Sequence, residues 1–211
     1  VYTYSHSGAY RDCYDARIAR QLAGLLRLPH HTLRIDQRFF ADFPDLAKKT
    51  VYVTDGYMDL NGAPSLFLHA KARTISDTRL TGNFGDQVLH SVSNLKPSLK
   101  GSDLRLFSKE FVEYLKLAAR SLKEILMGHP LTLFLSKQAP WLDYSRFCLE
   151  QSQMVQRSPY MDNKLIKLLY QAPPGMLLSE DIRLRLILEG NPELAIIPTE
   201  RGVLGERQKV I

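Results

Sequence analysis

The stretch LTGNFGDQVL, residues 80–89, gathers parts that suit phosphate chemistry. Gly82 and Gly85 bracket Asn83 and Phe84, Asp86 and Gln87 follow, and an apolar run resumes behind them. Glycines let the backbone approach a ligand and take positive φ. Successive backbone N–H groups ahead of a helix can form an anion nest. A carboxylate at Asp86 offers the hard oxygen that magnesium shares with phosphates. The same residues also make an ordinary glycine turn with Asp86 as a helix cap, and the loop alone favours that turn, because short Gly-x-x-Gly patterns are common.

The surrounding pattern places this corner at the end of a strand. VYTYS is a β-branched and aromatic run, and RDCYDARIARQLAGLLRL reads as a helix capped by Asp12, with Tyr14, Ile18, Leu22, Leu25 and Leu26 on one face. Pro29 ends it, and HHTLRID reads as a second strand whose adjacent His30 and His31 point to opposite faces. A crossover of this length predicts two parallel neighbouring strands. Residues 37–63 read as a mixed connector with a turn at Thr54–Gly56, followed by a helix with Pro64 in its first turn. DTRLTG is a third strand and DQVLHSV opens another helix. The expected class is α/β, a parallel-sheet nucleotide-binding layer over residues 1–107 with a helix-rich part over 108–211. SKEFVEYLKLAARSLKEILMG begins that second part as a long amphipathic helix carrying Phe111, Leu115, Leu122 and Leu126 on one side.

Length and composition narrow the function classes. The 211 residues suffice for a sizeable core, and 45% hydrophobic with 24% charged residues is the balance of a water-soluble globular chain. No window approaches a membrane span, and VYTYSHSGAY lacks the parts of a signal peptide. Cys13 and Cys148 stand far apart and read as reduced, partly buried thiols of a cytoplasmic protein. The net charge of +6 suits a polyanion or a nucleotide triphosphate, but Lys and Arg are spread along the chain without an aromatic-basic cluster. The chain opens without Met on what reads as an interior strand, which suggests a sequence cut from a longer one.

In order and spacing, several segments resemble the synthetase domain of the asparagine synthase (glutamine-hydrolysing) family. They are YTYSHSGAYRDCYDARIARQLAGLLRLPHHTL at 2–33, TDGYMDLNGAPSLFLHAKA at 54–72, TGNFGDQ at 81–87, RSPYMD at 157–162, RLRL at 183–186 and IIPTERG at 196–202. The resemblance implies an ATP-dependent, AMP-forming amide ligase that activates a carboxylate such as aspartate as its acyl-adenylate for attack by ammonia or glutamine-derived nitrogen. ATP and magnesium are the implied cofactors. Tyr4, Thr81, Gly82, Asn83, Gly85 and Asp86 match nucleotide-side positions, with Asp86 also the magnesium carboxylate. Gln87 and Arg201 stand where the family pairs a glutamate with a catalytic lysine, and Arg201 supplies charge but no transferable proton near neutral pH.

This chain departs from the family at several points. The Ser-Gly-Gly-x-Asp-Ser loop that cradles pyrophosphate is not among the 211 residues, so these residues alone are expected to be inactive. Asn83 and Phe84 replace an acidic residue and a glycine. Asp162 reads as a helix N-cap, and Arg157 as either a bridge to the site or a structural ion pair. Two alternatives stay open: a divergent non-catalytic member with a binding or scaffold role, and a nucleic-acid-modifying relative of the same nucleotide-binding fold, motivated by charge alone.

Overall fold

The computed structural model of the protein describes residues 3–7, 12–90, 103–126, 129–173, 175–176 and 181–198. Two compact units share the chain: residues 1–81, 145–159 and 180–211 form the first, and residues 82–144 and 160–179 the second.

The first unit opens as β-α-β. Strand β1 (Thr3–Ser7) runs parallel to β2 (His30–Arg34), Thr3 opposite His30 and Ser7 opposite Arg34, with helix α1 (Tyr14–Leu25) as the crossover. This is the parallel pair that the spacing predicts. The face that α1 buries is another matter. Ala16 and Ala23 are sealed, whereas Tyr14, Leu25 and Leu26 of the expected apolar face are exposed. Alanines seven apart lie on one side of a helix, and their short side chains let it lie close against the strands. Asp12 is not the cap. Cys13 holds that position without capping the helix, its thiol donating instead to the His6 carbonyl, and the Asp12 carboxylate is taken up by Arg20 and Arg34. Cys13 is exposed and Cys148 half-buried, both as free thiols.

The expected connector contains a 17-residue helix, α2 (Gln37–Val53). Asp36 caps it by accepting from the Arg38 and Phe39 amides. Pro44 lies inside and removes one backbone bond. Packing offsets that loss: Phe39, Ala47 and Thr50 are buried at helical spacing, and the Phe39 ring meets those of Phe43 and Phe67 at 5.7 and 5.4 Å. Asp55 and Gly56 are both left-handed in the predicted turn. A single 3-10 turn, Leu60–Gly62, then leads into α3 (Ala63–Arg73), which has proline in its first turn as expected. Phe39, Ala63, Phe67 and Leu68 form the core between α2, α3 and β2.

A second parallel ribbon joins β3 (Thr78–Leu80) to β4 (Val155–Arg157) in the same unit, with Arg79 opposite Gln156. The helical reading of residues beyond 108 did not include β4. Among the described residues the strands pair two by two, β1 with β2 and β3 with β4. The second ribbon inverts the usual pattern of burial. Gln156 is buried and Arg79 half-buried, while Leu80 and Val155 are exposed. Strands normally turn apolar residues inward, so this inward polar face requires an explanation in chemistry.

The second unit holds α4 (Gly85–His90), α5 (Lys109–Leu126), α6 (Pro130–Leu133), a π-helical stretch Phe134–Asp143, and α8 (Asn163–Tyr170). Val88, Leu89, Leu131, Leu133 and Phe134 are its buried apolar residues. On α5, Leu115 and Leu122 are half-buried and Phe111 is exposed, so the predicted stripe is covered only in part. Helix α7 (Tyr144–Gln151) follows the π-helical stretch, and α9 (Asp181–Gly190) lies near the end of the described chain. The described residues are therefore mixed and helix-rich with short parallel strands. Among them no helix is long and apolar enough to cross a membrane.

Candidate functional site

The corner after β3 is built by continuing the ladder one step. The Thr81 amide donates to the Arg157 carbonyl at 2.9 Å, and Thr81 is buried. In the second unit the Gly85 amide then closes a tight turn on the Gly82 carbonyl at 3.2 Å, and the Val88 amide donates to the Phe84 carbonyl as α4 starts. The expected backbone freedom is displaced by one residue. Neither Gly82 nor Gly85 is left-handed; Phe84 is, with φ of 73°. A bulky residue there costs about 1–3 kcal/mol and persists only where its surroundings hold it. Phe84 is fixed by its ring, which meets Phe134 at 5.4 Å. Gly85 is small for a different reason than expected: a Cβ there would sit 3.0 Å from the Tyr160 ring. Around Gly82 the space is open, and a Cβ there would meet nothing within 4 Å.

Asn83, Gly85 and Gln87 are half-buried, and Asp86 is exposed. Asp86 is not the helix cap, because α4 begins at Gly85 and places it in the first turn. A carboxylate in that turn is favourable to the helix. The described residues contain no group of three metal-ligating side chains. A lone carboxylate fits magnesium only in the form where phosphates and water supply its other ligands. Asp162 is the N-cap of α8, accepting from the Lys164 amide at 2.8 Å and the Leu165 amide at 3.3 Å. Arg157 is exposed at the end of β4, and Arg201 lies outside the described residues.

Tyr4 belongs to a set of residues that the sequence motifs do not bring together. Tyr4 and His6 share a face of β1 by the period of two. Their rings stand 5.6 Å apart, and the Arg79 guanidinium lies over the Tyr4 ring at 5.4 Å. The His6 ring meets His69 of α3 edge-on at 5.1 Å. His69 is 2% exposed. Its Nδ1 is 2.8 Å from the Ser65 carbonyl, which can only accept, so Nδ1 carries the proton. Nε2 is thereby left to accept from Arg79 Nη1 at 2.7 Å. Beneath them Glu150 of α7, 3% exposed, faces Arg79 at 3.6 Å, Arg146 at 3.7 Å and His69 at 4.0 Å.

This environment keeps both imidazoles neutral. Burial pushes His6 down from its usual 6.5 to about 4, with the neighbouring His69 and Arg79 adding to the effect. Burial also lowers His69, against the backbone bond from Ser65 and the Glu150 charge. The unfolded chain binds these protons more readily than the folded one below pH 6.5, so stability is full above that value and falls as pH drops toward about 4. The His6 part of this loss is about 1–2 kcal/mol once solvent screening is allowed for. Denaturant midpoints of the wild type should decline between about pH 7 and pH 4.5, and His6→Phe should flatten that decline. An unchanged slope in the variant would remove His6 from the explanation. The Asp12 carboxyl is held below its ordinary range by its hydrogen bonds and ion pairs with Arg20 and Arg34.

The sequence did carry a faint sign of the cluster: Tyr4 and His6 alternate with Thr3, Ser5 and Ser7, and Arg146 precedes Glu150 by one helical turn. Chemically, the arrangement offers polar, uncharged recognition next to a compensated guanidinium. In the second unit, the turn at 82–85 is followed by the exposed Asp86. No family model and no curated protein matches this chain.

Proposed function

We propose that the chain carries the nucleotide-binding and helical parts of an asparagine synthase-like, AMP-forming amide ligase. The carrying observation is the parallel β3–β4 ribbon whose β3 runs through Thr81 into a tight turn, with Asp86 exposed one residue after it. In open α/β sheets, ligands collect beyond the carboxyl ends of parallel strands. The β1–α1–β2 unit and the β3–β4 ribbon are, on this reading, portions of one nucleotide-binding layer, with Tyr4 on the adenosine side.

The reaction balances as two displacements. A substrate carboxylate oxygen attacks the α-phosphorus of ATP, the bond to the β-phosphate oxygen breaks, and pyrophosphate leaves with the acyl-adenylate formed. Ammonia then attacks the acyl carbon, loses a proton and releases AMP. Magnesium, when bound, neutralises charge on the leaving pyrophosphate. In this chain Asp86 would hold that cation, Gly82 would leave room for the phosphates, and Thr81, Asn83 and Gly85 would line the nucleotide side. Gln87 and Arg201 occupy the positions of the family's catalytic pair, without a proton-transferring lysine. The reading is tested by ATP–pyrophosphate exchange, screened over carboxylates such as aspartate. The full-length protein should exchange with at least one of them. Exchange with none would reject the ligase.

A second reading is a non-catalytic member that binds without adenylating. The packing of Phe84 on Phe134 and of the Tyr160 ring against Gly85 favours it, because aromatic side chains line the turn where backbone would have to approach a ligand.

A further inference from the structure

Gln156 is buried on the inward face of β4, 4% exposed, and neither the oxygen nor the nitrogen of its amide has a hydrogen-bond partner among the described residues. An unmet buried polar group destabilises the fold by its full desolvation cost, which an apolar side chain of similar size avoids. The register sets Gln156 directly across from Arg79, and paired residues of parallel strands turn to the same face. His6 Nε2, close enough to Arg79 to feel its charge, is also buried without a partner among the described residues. The His6 ring lies against His69, which takes its bond from the same guanidinium. Two orphaned groups thus lie near one arginine, whose own ribbon turns Leu80 and Val155 outward.

We propose that Gln156, His6 and Arg79 form a recognition site for a planar, uncharged ligand edge that pairs a hydrogen-bond donor with an acceptor, as a 6-aminopurine or a carboxamide does. The choice of ligand follows from the orphans. A bare oxyanion offers only acceptors and leaves Gln156 Oε1 unmet; a cation leaves Nε2 unmet. Glu150 already compensates Arg79 at 3.6 Å, so the site does not call for a further negative charge. A glutamine amide meets the amino group and ring nitrogen of adenine with two bonds, and it meets another carboxamide head to tail. His6 Nε2 supplies a third contact as donor or acceptor, according to tautomer. The inference rests on the proposed ligase function, which supplies both sources: the purine of the nucleotide and the amide of the product.

The test is thermal unfolding of the chain with adenosine, with L-asparagine, and with acetate as the oxyanion control, each at millimolar concentration. One of the first two should raise the Tm and acetate should not. A rise with adenosine assigns the site to the purine; a rise with asparagine assigns it to the product amide. Gln156→Leu should abolish the response while leaving the unliganded protein at least as stable, and Gln156→Met is carried in parallel in case the branched side chain does not fit. Gln156→Glu should bind at least about tenfold more weakly, since it replaces the donor. No rise with either probe overturns the proposal, as does a rise that survives in Gln156→Leu. Adenosine and asparagine carry no phosphate, so a thermal response without pyrophosphate exchange rejects the ligase alone. Exchange without a thermal response rejects this site alone.

Discussion

Glu150→Ala is expected to destabilise the protein by about 3–5 kcal/mol, the range for breaking a buried ion pair from one side. The carboxylate is 3% exposed and answers two guanidiniums, Arg79 at 3.6 Å and Arg146 at 3.7 Å. Its removal leaves Arg79 without a counter-charge while that residue still donates to His69 and lies over Tyr4. Alanine also opens a void beneath α3. Arg146 can swing into solvent, because its side chain is 68% exposed; Arg79, at 25%, has less freedom. Glu150→Gln keeps the volume and loses the charge, and should fall between the two. Guanidinium denaturation at neutral pH measures both variants. A loss below about 1 kcal/mol for the alanine variant would place Glu150 among surface ion pairs and remove it as the anchor of the cluster.

Gly62→Ala follows as the second large effect, about 1–3 kcal/mol and toward the upper end. Gly62 ends the 3-10 turn before α3 and is buried. Its φ of −77° suits any residue, so the constraint is space and not backbone freedom. An added Cβ overlaps the Thr50 methyl and lies 3.2 Å from Leu149 and 3.3 Å from Met58. Thr50 cannot turn away cheaply, since it is fully buried and its hydroxyl donates to the Leu46 carbonyl at 2.8 Å. The variant should lower the denaturation midpoint without altering the slope. Gly24, where a Cβ meets nothing within 4 Å, is the matched control and should tolerate alanine.

What the sequence discloses and what it hides divide along physical lines. The β1–α1–β2 crossover, the proline start of α3, the strand at Thr78 and the long helix α5 are local signals, carried by periodicity and by Pro or Gly punctuation. Asp162 as a cap is equally local. Helix α2 is hidden because Pro44 breaks the pattern, and only the packing of Phe39, Phe43 and Phe67 shows how the helix survives it. Strand β4 is three residues long, and its partner lies 77 positions earlier in the register, so no short window contains the evidence. The turn at residues 82–85 is legible as a turn, yet nothing local says that Phe84 and not a glycine takes the left-handed conformation. That depends on Phe134, fifty residues downstream by number. The cluster of His6, His69, Arg79 and Glu150 draws on four separate elements, and its Gln156 neighbour is inconspicuous until its burial is seen.

The proposed ligase turns on a corner after β3 that presents Asp86 to a magnesium-bound triphosphate. Magnesium-dependent ATP–pyrophosphate exchange, comparing the full-length protein with its Asp86→Asn variant, tests this most directly. Exchange is expected in the first and a fall of about 100-fold or more in the second, the size seen when a group stabilising the leaving charge is lost. Equal exchange in both would contradict that role for Asp86.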